Sequence, residues 1–93
     1  MSGIDEVFLS SLENKLNDTT DWPSVYMFKF IVPSDNRNIA MIEAMYGDEA
    51  QIFTKESRAG KYISITIKVV MLNAKEVIEK YRSAAKIEGL IAL

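Results

Sequence analysis

The sequence predicts an α+β domain of the ferredoxin-like βαββαβ type: a four-stranded antiparallel sheet with two helices on one face, preceded by an amphipathic helix. Three observations carry this. Ile63, Ile65, Ile67 and Val69 alternate with Ser64, Thr66 and Lys68, the period of a strand buried on one side. Two stretches of helical periodicity, each opened by a capping residue, lie between strand-like runs. The resulting order, β-α-β-β-α-β, joins two crossover helices to one central hairpin.

Each element has a local cause. Residues 2–16 place Ile4, Val7, Phe8, Leu12 and Leu16 at helical spacing, with Ser2 as candidate N-cap and Asp5 in the first turn. Asn17 to Ser24 (NDTTDWPS) is rich in turn formers, and Pro23 stops a helix, which divides the chain into an arm and linker (1–22) and a main domain (23–93). Residues 25–32 (VYMFKFIV) read as the first strand, ended by Pro33-Ser34. A helix capped by Ser34 or Asp35 follows, burying Ile39, Ile42, Met45 and Tyr46 and stopping at Gly47. Residues 50–57 form a second strand of weak alternation, and Ala59-Gly60 supplies the hairpin turn. Asn73 and Glu76 make a capping box before the stripe Val77, Ile78, Tyr81, Ala84 and Ala85, with Glu76 and Lys80 paired on the solvent side. After Gly89, Leu90 to Leu93 makes a short last strand.

Composition narrows the chemistry. The 93 residues hold no histidine and no cysteine, which removes the usual proton shuttle, thiol nucleophile and soft metal ligands. No catalytic residue, metal site or cofactor is expected, and the chain reads as a non-enzyme. Asp48 and Glu49 are neighbours in a turn, and Asn36-Arg37-Asn38 lacks the glycine-rich loop of an anion cradle. No phosphate-binding or dinucleotide fingerprint occurs. Acids at Asp5 and Glu6 are unlike a secretory signal, and no apolar run is long enough to span a bilayer, so a cytoplasmic location without membrane contact is expected.

The formal net charge of −2 is unevenly spread. Residues 1–22 carry five acids against one lysine, a net −4, and residues 23–93 carry ten bases against eight acids, a net +2.

The aromatic-Pro start of the first strand (Trp22-Pro23, then Tyr26, Phe28 and Lys29), the hairpin Ser57-x-x-Gly60-Lys61-Tyr62-x-Ser64 and the run Ile65 to Ile67 resemble the YbeD-like family of small bacterial proteins of unknown function. The resemblance spans roughly residues 15–93. It implies the same βαββαβ fold, similar to ACT-type regulatory domains that bind amino acids at subunit interfaces. The family is also linked by name to lipoate metabolism. It brings no catalytic residues to carry over.

Three functions stay open. The leading expectation is a regulatory or protein-interaction module whose partner is another protein or a second copy. It would use the open sheet face (Met27, Lys29, Ile31, Tyr62, Ser64, Thr66, Lys68) or the basic rim of the hairpin (Lys55, Arg58, Lys61). The alternative is an ACT-like sensor of a small effector such as an amino acid. The glycine such domains use after the first strand is missing from Val32-Pro33-Ser34-Asp35-Asn36, where Ser34 and Asp35 suit a helix cap. A weak RNA-binding role comes third. Arg58-Ala59-Gly60-Lys61-Tyr62 resembles the opening of an RNA-recognition signature, but Ser64 and Thr66 stand where further stacking aromatics would be needed. Nucleic acid is therefore disfavoured as a partner.

Overall fold

The computed structural model describes residues 3–93. Its elements are α1 (Glu6–Thr19), β1 (Ser24–Pro33), α2 (Asn36–Ala44), β2 (Gln51–Glu56), β3 (Tyr62–Met71), α3 (Ala74–Ala84) and β4 (Ile91–Ala92). The four strands form one antiparallel sheet in the order β2-β3-β1-β4, as the βαββαβ reading requires. Phe28, Phe30 and Val32 of β1 and Ile63, Ile65 and Ile67 of β3 face the helices and are buried. Alternation thus commits one sheet face to the core and leaves the other open.

Side-chain caps start all three helices. Asp5 accepts from the Phe8 N–H at 2.8 Å, Asp35 from Arg37 N–H at 2.9 Å and Asn73 from Glu76 N–H at 2.8 Å. Asp35, rather than Ser34, is therefore the α2 cap. Ser2 lies outside the described residues, and α1 starts only after Asp5, so Asp5 takes the cap role assigned above to Ser2. The helix also runs on through Asn17, Asp18 and Thr19, residues expected in the linker.

The buried face of α1 also differs from the expected stripe. Leu9 and Leu16 enter the core, with Ile4 and Leu12 packed beside them, while Val7 is 77% exposed and Phe8 half-exposed. Val7 sits two residues, or more than half a turn, away from Leu9, so both cannot face inward. The Phe8 ring meets Tyr81 of α3 edge-on at 5.7 Å, and Arg82 donates to Glu6 at 2.7 Å. The helical layer therefore holds three helices, with α1 laid on α3.

Other boundaries moved less. Helix α2 ends at Ala44, before Gly47, which has no left-handed φ and is not the stop expected of it. Strand β2 is two residues shorter than expected, and β4 pairs through Phe30–Ala92 and Ile31–Ile91, followed by a Leu93 N–H to Lys29 carbonyl bond at 2.9 Å. Lys80 is not the solvated partner of Glu76. Its ammonium donates to the Met45 carbonyl and lies 5.1 Å from the Tyr46 ring centroid, closing the exposed C-terminus of α2.

The core is strongly aromatic around Tyr81, whose ring lies 5.3 Å from Phe28 and 5.9 Å from Phe30. Burial raises the pKa of both Tyr46 and Tyr81, and the Tyr26–Tyr81 hydroxyl bond of 3.0 Å adds to the shift at Tyr81. The buried Tyr46 hydroxyl has no hydrogen-bond partner among the described residues. The two phenols are therefore expected to respond oppositely to deletion. Tyr81→Phe orphans the Tyr26 hydroxyl and should cost about 1 kcal/mol, whereas Tyr46→Phe removes an unsatisfied group and should be neutral or stabilising. Urea unfolding of the two variants checks this, and an equal loss in both would contradict it.

Candidate interaction surface on the open sheet face

The antiparallel register sets the outward residues in rows across the sheet. Lys55, Ser64, Ile31 and Ile91 form one row, and Phe53, Thr66 and Lys29 the next. Gln51, Lys68 and Met27 form a third, then Val70 and Val25, with Tyr62 at the hairpin end. Every open-face residue expected from β1 and β3 points outward here. Met27, Lys29, Tyr62 and Lys68 are exposed, and Ile31, Ser64 and Thr66 are partly covered by their neighbours.

Side-chain size shapes this surface. On β3 the small Ser64 and Thr66 lie between the larger Met27, Lys29 and Ile31 of β1 and Phe53 and Lys55 of β2. The flanking rows stand about 10 Å apart, two strand spacings, so β3 is the floor of a shallow channel. At its hairpin end it deepens to about 700 Å³, lined by Ile31, Tyr62, Ser64, Lys55 and Arg58 with Glu56 and Ser57. The sheet face and hairpin, separate candidates from sequence alone, meet in this recess. Lys61 is exposed in the same loop but is not part of the lining.

The hairpin is built by its own motif. The Ser57 N–H donates to the Tyr62 carbonyl at 2.8 Å, and the Tyr62 N–H returns a bond to Ser57 Oγ at 3.1 Å. Gly60 takes the left-handed φ of +72°, and its N–H donates to the Ser57 carbonyl at 2.9 Å. The Lys61 carbonyl accepts from Ser34 N–H at 2.9 Å, which fixes the loop to the end of β1. Ser57 and Gly60 are therefore architectural, and what they position is Tyr62, Arg58 and Lys61.

As well as the polar Gln51, four apolar outward strand residues escaped the sequence reading: Val25, Val70, Ile91 and, above all, Phe53. Together with Met27 and Tyr62 they are 46–66% exposed. Phe53 lies opposite Thr66, and the Lys68 ammonium sits 6.0 Å from its ring centroid. Counting residues back from the Ser57–Tyr62 turn would have placed Phe53 there despite the weak alternation of β2.

The electrostatics are predominantly basic, with Glu56 in the recess and Glu49 beside Val25 and Lys68 as the carboxylates at the margins. Lys29, Lys55 and Lys68 are the charged outward residues of β1, β2 and β3, and no Asp or Glu shares those positions. The polar groups near α2 are already engaged. Arg37 pairs with Asp35 at 2.9 Å, its hydrogen bonds holding the Asp35 carboxyl below the usual range, and Asn38 donates to the Pro33 carbonyl at 2.9 Å. Asp48 and Glu49 lie exposed in a turn. Among the described residues, no cluster of three His, Cys, Asp or Glu could hold a metal ion. No helix among them is long and apolar enough to cross a membrane.

Comparison with known proteins bears out the family resemblance. Residues 17–93 match the family described as Protein of unknown function (DUF493), and the chain belongs to it. It is similar to a UPF0250 protein of Shewanella halifaxensis (strain HAW-EB4), with 26% identity over 83 residues covering 85% of this chain and 94% of the relative. A UPF0250 protein of Shewanella piezotolerans (strain WP3 / JCM 13877) is 24% identical over the same shares. These are the YbeD-like small bacterial proteins whose residues the chain resembles. No solved structure matches the chain.

Proposed function

We propose that this member of the DUF493 family is a non-catalytic regulatory or interaction module that takes a protein partner on its open sheet face, with the β2–β3 hairpin at one end. The observation that carries the reading is the set of half-exposed apolar side chains, Met27, Phe53, Tyr62, Val25 and Val70, gathered on one side of the sheet. Scattered apolar residues are ordinary on a protein surface, but a face of them beside a recess marks a contact site. The chemistry of the chain supports the same reading. Its hydroxyls, lysines and carboxylates are not grouped around a histidine or thiol, since it has neither.

Met27→Glu with Phe53→Glu tests it. Both positions are exposed, so melting should change by less than a few degrees. Met41→Glu on α2, also exposed but on the helical layer, serves as control. Native pull-downs compared by quantitative mass spectrometry should show partners retained by wild type and Met41→Glu and lost from the double variant. Identical sets from all three, or nothing retained by wild type, would overturn the reading.

A further inference from the structure

We infer that the occupant of the open face is an acidic protein segment carrying apolar side chains; the inference rests on the interaction reading above and names the partner's chemistry. The face offers Lys29, Lys55 and Lys68, and Arg58 closes the hairpin end of the channel, so bases outnumber the two carboxylates at its margins, Glu56 in the recess and Glu49 beside Val25 and Lys68. A segment lying along the β3 floor would place apolar side chains against Ile31, Met27 and Phe53 while its carboxylates reach the lysines on either side. Charge complementarity of this kind sets orientation and rejects wrong partners.

The alternatives fit less well. A second copy meeting this face across a two-fold axis would set the three lysines and Arg58 of each copy against the same bases, with only Glu56 and Glu49 at the margins to offset them. The acids at the amino-terminal end of the chain are turned elsewhere, because Leu9 and Leu16 hold α1 on the helical layer beside α3. Single-stranded nucleic acid would use the lysines, but it binds by stacking on aromatic rings. Phe53 and Tyr62 are the aromatics here, with Phe53 opposite Thr66, four residues along β3 from Tyr62. The remaining apolar surface is aliphatic or methionine, which buries apolar side chains rather than bases.

The experiment is a titration of the isotope-labelled full chain, followed by amide chemical shifts, with three probes: a short peptide alternating glutamate and leucine, its lysine–leucine twin, and oligothymidylate. The expected result is that the glutamate peptide shifts outward β1, β2 and β3 amides, binds more weakly as salt is raised, and loses about tenfold in affinity with Lys29→Glu and Lys68→Glu combined. Binding of the lysine peptide to the same face with equal or greater affinity would overturn the acidic partner while leaving the interaction reading intact. Tighter binding of oligothymidylate would replace the protein segment with a nucleic acid. No response of the face to the glutamate peptide also overturns the inference, and the pull-down then judges the broader reading separately.

Discussion

Leu9→Ala is expected to lower unfolding free energy by about 2 to 3 kcal/mol, the cost of a buried leucine truncated where neighbours close in only partly. Leu9 is 2% exposed and belongs to the core cluster with Leu16, Tyr81 and Phe28. The loss should also be local. A helix of 14 residues is marginal alone in water, so α1 depends on its docking against α3. Hydrogen exchange should accelerate along Glu6–Thr19 while β3, paired on both sides in the middle of the sheet, stays protected. Unchanged exchange in α1, or acceleration equal in β3, would show that the helix is not held in this way.

Gly89→Ala should be as damaging, at about 3 kcal/mol, for a reason found at the other end of the chain. Gly89 has φ +80°, a conformation that strains any residue with a Cβ, and an added Cβ would meet Pro33 Cγ at 2.8 Å and Cδ at 3.2 Å. Pro33 ends β1 and its ring cannot swing aside as a flexible chain could. Gly60→Ala is the internal comparison. Its φ of +72° is similar, but its nearest neighbour is Glu56 Oε1 at 3.4 Å, the far end of a movable side chain. It should cost about 1 kcal/mol. Equal melting temperatures for the two variants would mean that the Pro33 contact carries no weight. The Gly89 variant should also loosen the Ile31–Ile91 pairing, and with it the β4 edge of the open face.

These expectations rest on two kinds of information. The β3 alternation, the Asn73 cap and the Ser57-x-x-Gly60 turn are local patterns, and each acts within a few residues of where it is written. They were sufficient for the strand order and for the outward direction of Met27, Lys29, Ile31, Ser64 and Thr66. The phase of α1 was not readable in the same way. Ile4, Val7, Phe8, Leu12 and Leu16 form a helical stripe as good as the one built on Leu9, and the choice depends on which side docks against α3. Leu9 and Leu16 enter the core while Val7 stays exposed. Lys80 was misread for a related reason. An i,i+4 partner at Glu76 is visible in sequence, whereas a carbonyl of Met45 35 residues away is not.

The βαββαβ order, the contrast between one apolar and one mixed sheet face, and the exclusion of histidine and thiol chemistry are all written in the chain, because period, caps and composition act locally. The docking of α1 on α3, which leaves the sheet face open, is seen only once the chain is folded. So are the place of Phe53 in that face and the meeting of hairpin and sheet in one recess lined by Ile31, Tyr62 and Arg58. The physical reason is that these depend on strand register and helix docking, which bring together residues far apart in the chain and leave no local periodic trace.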